Sequence, residues 1–208
     1  LMFHDLRLQV GAILVADAHY SSQREELFGF FEAIDSGKIA TTQIILMGDI
    51  FDALFGQISY THRQNAQMIL LLNRLSQKME IIYLEGNHDF NLKKIFPKMK
   101  IFSFAHQQIT LKFNNLTLLL AHGDILNSSK YSIYTKIIRN PITLYFLSFL
   151  DFLTNHSILK RLYDYLSKKD DCREFVGFEE FMQKRLGCID GCDYFVEGHF
   201  HQNKGFLV

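Results

Sequence analysis

Five short clusters of aspartate, histidine, asparagine and glycine recur along the chain: Asp17-Ala18-His19, Gly48-Asp49-Ile50-Phe51-Asp52, Gly86-Asn87-His88-Asp89, His122-Gly123-Asp124 and Gly198-His199-Phe200-His201. Five of the nine histidines fall inside them, a concentration that packing does not explain. The scattered His4, His62, His106 and His156 read as surface or hydrogen-bonded residues. Carboxylates and an amide oxygen mixed with imidazoles, with few thiols, suit borderline divalent ions such as Mn²⁺, Fe²⁺ or Zn²⁺. Seven candidate ligands are more than one ion needs, and two ions sharing a bridging carboxylate would use all of them. Two ions about 3.5–4 Å apart lower the pKa of a bridging water, clamp a phosphate and stabilise an in-line displacement, which is phosphoester chemistry. The glycines at 48, 86, 123 and 198 are expected to bring the backbone close to an anion in tight strand-to-loop turns.

Such donors must be held by strands, and most clusters follow a strand-like apolar run. Residues 12–16 deliver Asp17 and His19. Ser21-Ser22 then offers a helix cap ahead of Glu25-Glu26, and Leu27, Phe30, Phe31 and Ile34 repeat at helical spacing as far as Gly37. A strand over 43–47 precedes Gly48-Asp49, a helix is expected from Thr61 to Met79, and a strand over 80–84 leads into Asn87-His88-Asp89. Residues 100–104, 108–113 and 116–121 read as strands, with Asn114-Asn115 as a hairpin turn, so the neighbours are expected to change from parallel to antiparallel. Ligands bind outside the carboxyl ends of strands in open α/β sheets, where these clusters fall.

Between Asp124 and Gly198 the pattern turns helical, with apolar residues three and four apart over 131–138, 142–153, 158–166 and 175–186. This reads as an insertion over 125–192. Its apolar stretch 142–150 falls short of the roughly 20 residues a spanning helix needs. Two readings of it stand: a helix buried against the core, or a greasy lid or interfacial helix that meets acyl chains, with Lys136, Arg139, Lys160 and Arg161 supplying cations nearby. Residues 193–197 return as a strand. Phe206-Leu207-Val208 looks like the opening of another, so a further C-terminal segment is expected.

At 208 residues the chain is expected to form one domain that buries roughly 70% of its unfolded surface. Twenty-two basic and 22 acidic residues cancel, so no positive field argues for a nucleic-acid partner. Twenty Phe and nine Tyr without Trp exceed what a plain hydrolase core requires, leaving aromatic surface for a ligand. Cys172, Cys188 and Cys192 cannot all pair with one another, and no basic segment followed by an apolar core opens the chain, so a reducing cytosol is expected. Cys188-x3-Cys192 has no second Cys/His pair at finger spacing, which favours free thiols over structural zinc. The sequons at Asn115, Asn127 and Asn155 read as chance matches.

Taken in order, Asp17-x-His19, Gly48-Asp49-x2-Asp52, Gly86-Asn87-His88-Asp89, His122-Gly123-Asp124 and Gly198-His199-x-His201 resemble the calcineurin-like metallophosphoesterases. The resemblance implies an α/β (α+β) fold: a mixed-sheet metallophosphoesterase sandwich flanked by helices, one domain over 1–208, with 125–192 as a helical lid insertion. It implies two divalent metal ions, one held by Asp17, His19 and His201, the other by Asn87, His122 and His199, with Asp49 bridging. His88 would face the substrate phosphate, held by Asp89, as the catalytic pair, and Asp52 would support the site from behind.

Within that superfamily, the stretch from Tyr131 to Arg139-Asn140-Pro141, the apolar helix behind it and Ser167-Lys168 resemble the UDP-2,3-diacylglucosamine pyrophosphohydrolases of lipid A synthesis. This implies hydrolysis at the α-phosphorus of a UDP-linked diacylated glucosamine, giving UMP and 2,3-diacylglucosamine 1-phosphate (lipid X). Mn²⁺ is the usual metal of those enzymes, and they attach peripherally to the cytoplasmic face of the inner membrane. Substrate contacts are implied for Asn87, His88, Tyr131, Ser167, Lys168 and His199. Solvated charge explains Lys169 and Arg173 equally well. His88 stands where the best-known branch has Arg, and a histidine can protonate an alkoxide leaving group, which pyrophosphate cleavage does not need. The alternative is therefore a phosphodiesterase or phosphomonoesterase acting on a soluble substrate.

Overall fold

The apolar runs that end at the clusters are continuous because both faces of their sheet are covered. The structure is a computed structural model describing residues 6–124, 129–168, 173–187 and 189–206, with side chains described in the helix that begins at Ser129 only from residue 133. In chain order the elements are β1 (Ile13–Val15), α1 (Glu26–Asp35), β2 (Gln43–Leu46), β3 (Leu54–Phe55), α2 (Ser59–Gln64), α3 (Ala66–Lys78), β4 (Glu80–Leu84), β5 (Asp89–Phe90), β6 (Lys100–Phe102), β7 (Ile109–Phe113), β8 (Leu116–Ala121), α4 (Ser129–Ile138), α5 (Pro141–Leu153), α6 (Ser157–Ser167), α7 (Phe178–Leu186) and β9 (Tyr194–Glu197).

Strands β1, β2, β4 and β6 form one parallel sheet in that order. Alternate residues leave its two faces. Ile44, Leu46, Ile81 and Tyr83 meet Phe31 and Ile34 of α1 and Met68, Leu71, Leu72 and Leu75 of α3. Ile45, Met47, Ile82, Leu84 and Phe102 meet Ile109, Leu111 and Leu120 of the second sheet, β7-β8-β9. The layers are therefore helices, parallel sheet, mixed sheet, and the fold is the expected α/β sandwich.

Several expectations are corrected. Residues 100–102 extend the parallel sheet beside β4, so among the described strands only β7 and β8 pair antiparallel, turning at Asn114-Asn115, and β9 runs parallel to β8. The helix expected over 61–79 breaks at Asn65, whose side-chain amide donates to the Thr61 and Ala53 carbonyls. Ser21-Ser22 caps nothing: Ser21 exchanges backbone bonds with Arg24, and α1 starts after Glu25. A two-strand parallel ribbon, β3-β5, has too few residues to show in the sequence pattern. Phe206 lies outside any strand, and Leu207 and Val208 lie outside the described residues, as do Lys169, Cys172 and Cys188.

The helices α4 to α7 all lie between β8 and β9, neighbours in one sheet. Asn140 caps α5 by accepting from the Ile142 and Thr143 amides, and Pro141 takes the first helical position, where its missing N–H is not needed. Leu144 and Asp151 on α5 turn inward, while Ile142, Tyr145, Phe146, Phe149, Phe152 and Leu153 are exposed. One face of this helix is buried against the body and the other is bare. Leu144 and Leu159 join Ile58 and Phe90 in a third apolar cluster that seats the helices on the β3-β5 ribbon. No single helix among the described residues is long and apolar enough to cross a membrane, and α5 and α6 meet at a bend of 102°.

Candidate metal centre

The pairing of β1 with β2 continues beyond both strands. Asp17 N–H donates to Gly48 O (3.1 Å), His19 N–H to Asp49 O (3.0 Å) and Tyr20 N–H to Ile50 O (2.8 Å), so the first two clusters travel side by side. Asp17 then accepts the His199 amide on both carboxylate oxygens (2.8 Å each), which fastens the last cluster to the first. One ligand atom from each of Asp17, His19 and His201 lies within 4.8 Å of the others, and the same holds for Asp49, His122 and His199. Asn87 Oδ1 is 3.2 Å from His122 Nε2. All seven residues expected to be metal ligands therefore converge from four strand ends and the loop after β9.

The backbone there is unusual. Asp17 (φ 50°), His19 (47°), Asp49 (50°), His199 (72°) and His201 (53°) all adopt left-handed conformations. Each such non-glycine residue costs on the order of 1–3 kcal/mol and persists only where its surroundings over-determine it. Two of the glycines have a task beyond the turns expected of them. A Cβ on Gly86 would collide with Asp49 Oδ1, and one on Gly198 would stand 2.5 Å from Asp17 Oδ2, so both make room for a carboxylate.

The imidazoles are oriented from behind. His122 Nδ1–H donates to Met47 O (2.9 Å), which turns Nε2 toward Asn87 and Asp49 (3.5 Å). His19 Nδ1 lies 3.4 Å from Asp52, leaving Nε2 facing His201 Nε2 at 3.3 Å. A hydrogen bond on one ring nitrogen fixes the other as the donor to a metal. Burial opposes a charge on His122, but Asp49, Asp124 and Asp17 outweigh it and push its pKa up to about 10. Burial and the His122 charge hold His199 down at about 4. Burial raises Asp17 to about 6, and His122 keeps Asp49 ionised against its own burial. The donors are carboxylate and amide oxygens and imidazole nitrogens, so the residues present fit two divalent cations.

His88 and Asp89 do not form the expected pair. His88 Nδ1–H donates to the Asp52 carbonyl (2.8 Å), and its amide to Asp49 Oδ1 (2.8 Å). Asp89, fully buried, instead accepts the amides of Asp49, Ile50, Phe51 and Gly86 and the Tyr83 hydroxyl. Burial and the Asp49 charge push Asp89 up, while these five donors favour its carboxylate form. It sets the shape of two loops and does not orient His88.

A cavity of about 400 Å³ opens beside Asn87, His88 and Asp52 and runs between Phe55, Ile58 and Phe90 of the body and Leu144, Leu147 and Leu159 of the helices. Of the substrate contacts expected in the helical segment, Ser167 Oγ–H donates to Asp164 O and Lys168 pairs with Asp164 across one exposed helical turn, just beyond the cavity-lining Leu166. The Tyr131 side chain lies outside the described residues. Sequence reasoning missed the role of Asp124, which is fully buried against Arg139 rather than joining the donors. The signal was there in an arginine placed directly before an Asn-Pro helix start.

A family described as calcineurin-like phosphoesterase matches residues 12–203. The UDP-2,3-diacylglucosamine hydrolase of Pseudomonas syringae pv. tomato is 27% identical over 153 residues, 72% of this chain and 62% of that protein. The enzyme of the same name from Pseudomonas fluorescens (strain Pf0-1) is 28% identical, covering 72% and 62%. That of Aromatoleum aromaticum is 24% identical over 200 residues, covering 93% of this chain and 81% of that one. The chain thus spans about 62% of the length of the two Pseudomonas proteins.

Two outcomes are expected. Asp89→Asn, which replaces an acceptor with a donor among buried amides, lowers the melting temperature and metal uptake together, whereas His88→Gln keeps both. A wild-type melting curve for Asp89→Asn would refute its loop-organising role. At pH 8, well below the raised pKa of His122 and above that of Asp17, metal uptake releases about one proton, from His122 Nε2. Calorimetry in buffers of differing ionisation enthalpy reads this, and uptake without proton release removes His122 from the ligand set.

Proposed function

The chain belongs to the calcineurin-like phosphoesterase family, and from that premise we propose that it hydrolyses the pyrophosphate of UDP-2,3-diacylglucosamine, giving UMP and 2,3-diacylglucosamine 1-phosphate. The observation that carries this reading is the apolar cavity opening directly on Asn87 and His88. A soluble phosphoester has no use for a greasy tunnel at the reacting centre, whereas a diacylated sugar needs one to shelter its chains. Its volume falls in the about 300–1,000 Å³ range of ligand clefts. The names of the relatives at 24–28% identity point the same way.

On this reading Asp17, His19 and His201 hold one divalent ion and Asn87, His122 and His199 the other, with Asp49 shared, and Mn²⁺ is the proposed metal. When bound, the ions supply a nucleophilic water and charge neutralisation at the phosphorus. The protein does the rest. His88, its ring fixed through Nδ1, donates Nε2–H to a substrate phosphate oxygen when it is protonated; the helices α4 to α6 act as a lid that holds the acyl chains and keeps bulk water from the phosphate. The exposed aromatic stripe of α5 would rest on the inner membrane's cytoplasmic face, where the substrate's chains lie.

One observation favours a second reading. A histidine whose Nδ1–H is held by a backbone carbonyl presents Nε2 outward, and once protonated there it is a general acid that an alkyl phosphodiester would exploit. With Mn²⁺-loaded protein, release of UMP from UDP-2,3-diacylglucosamine is expected, and Leu144→Asp raises the KM for the lipid about ten-fold or more while leaving turnover of small aryl phosphodiesters near wild type. No UMP, or equal losses on both substrates, defeats the lipid reading. Vesicles of anionic phospholipid are expected to sediment with the wild type and to retain little of a Phe146→Glu/Phe149→Glu variant; equal retention refutes the membrane contact.

A further inference from the structure

Two arginines of the helical lid descend onto the backbone that carries the second group of ligands. Arg139, just after α4, donates from Nη2 to Gly86 O (3.0 Å), the carbonyl immediately before Asn87, and pairs through the same nitrogen with Asp124 (2.8 Å). Arg185, in the last turn of α7, donates from Nη2 to Gly123 O (3.3 Å), the carbonyl immediately after His122. Its Nε donates to both oxygens of Glu197 (2.9 Å each), two residues before His199. Asn87, His122 and His199 are each therefore within two residues of a group that a lid arginine holds.

Neither contact is a solvated surface pair. The Asp124 side chain has no exposure and that of Glu197 6%, while the arginine side chains are 12% and 16% exposed. Arg139 lies over Phe104 at 4.4 Å and Phe90 at 5.5 Å, and Arg185 over Phe200 at 5.8 Å. A planar guanidinium can lie flat on a ring while its nitrogens reach a carboxylate and a carbonyl; a lysine ammonium could make the two hydrogen bonds but not the flat stacking. Arg139 Nη1 and Asp124 Oδ1 are buried without a partner, so this fork is engaged through one nitrogen only. If fastening the lid were the whole task, the acids would suffice. Both arginines also select a glycine carbonyl beside a ligand.

We propose that Arg139 and Arg185 are positioning residues that couple the seating of the lid to the second metal site. This rests on the ligand assignment given under Proposed function. By thermodynamic reciprocity, whatever tightens that site also seats the lid, and loosening the lid weakens that site to the same degree.

The test is Mn²⁺ titration calorimetry on the full chain, paired with hydrogen exchange of α4 and α5. Wild type is expected to take two ions, with exchange in α4 and α5 slowed on loading. Arg139→Lys and, at the more exposed arginine, Arg185→Lys are expected to weaken one ion about 10–100-fold, leave the other unchanged and lose the metal-dependent slowing. Variants that take two ions with wild-type affinities and slow normally overturn the coupling. His199→Ala separates the premises. If it loses an ion while the arginine variants do not, the coupling alone is wrong; if it keeps both ions, the ligand assignment is wrong.

Discussion

Four backbone amides and one phenol converge on the buried carboxylate of Asp89, and the relative position of the loops after β2 and β4 depends on that convergence. Those loops carry Asp49 and Asn87, one from each side of the second group. The charge is costly to bury, but an acceptor with several lone-pair sites is the one side chain able to satisfy so many converging amides. Tyr83, a core residue of β4, contributes the fifth donor, so the floor of the site is continuous with the hydrophobic core of the parallel sheet.

Rigidity follows from the layering. The parallel sheet is packed on both faces, by α1 and α3 on one side and by β7 and β8 on the other, and a strand fixed on both faces cannot slip its register. That fixity is what allows left-handed backbone at Asp17, His19, Asp49, His199 and His201. The strain lies where the donors are, and the core that tolerates it lies immediately below. The helices between β8 and β9 are held differently, by an apolar cluster on the β3-β5 ribbon, by Phe175, Phe178 and Phe181 packed around Phe200, and by buried arginines.

Much of this was legible in the sequence. Apolar runs ending in Asp, His and Gly clusters located the strands and the carboxyl-end crevice, because strand period and donor chemistry are local properties, while the choice of seven converging residues among the clusters' donors came from the resemblance to the metallophosphoesterases. What was not legible was set by partners distant in the chain. Residues 100–102 pair parallel to β4 only because that edge of the sheet is open to them; nothing in Lys100-Ile101-Phe102 carries a direction. Asn65 interrupts a helical pattern because the Ala53 carbonyl lies within reach of its amide. His88 and Asp89 are adjacent in sequence, which invited a pairing, yet in a strand neighbouring side chains point to opposite faces, and Asp89 opens β5. The glycines marked the turns, but that Gly86 and Gly198 leave room for the carboxylates of Asp49 and Asp17 depends on partners far away in the chain.

Donors drawn from residue 17 to residue 201, most of them on backbone that an unfolded chain avoids, offer no local nucleus on which a cation could organise folding. Unlike the donors of a zinc finger, which lie close together in the chain, this set comes together only as strands from both sheets pair, so its geometry is a property of the whole fold and of no single segment.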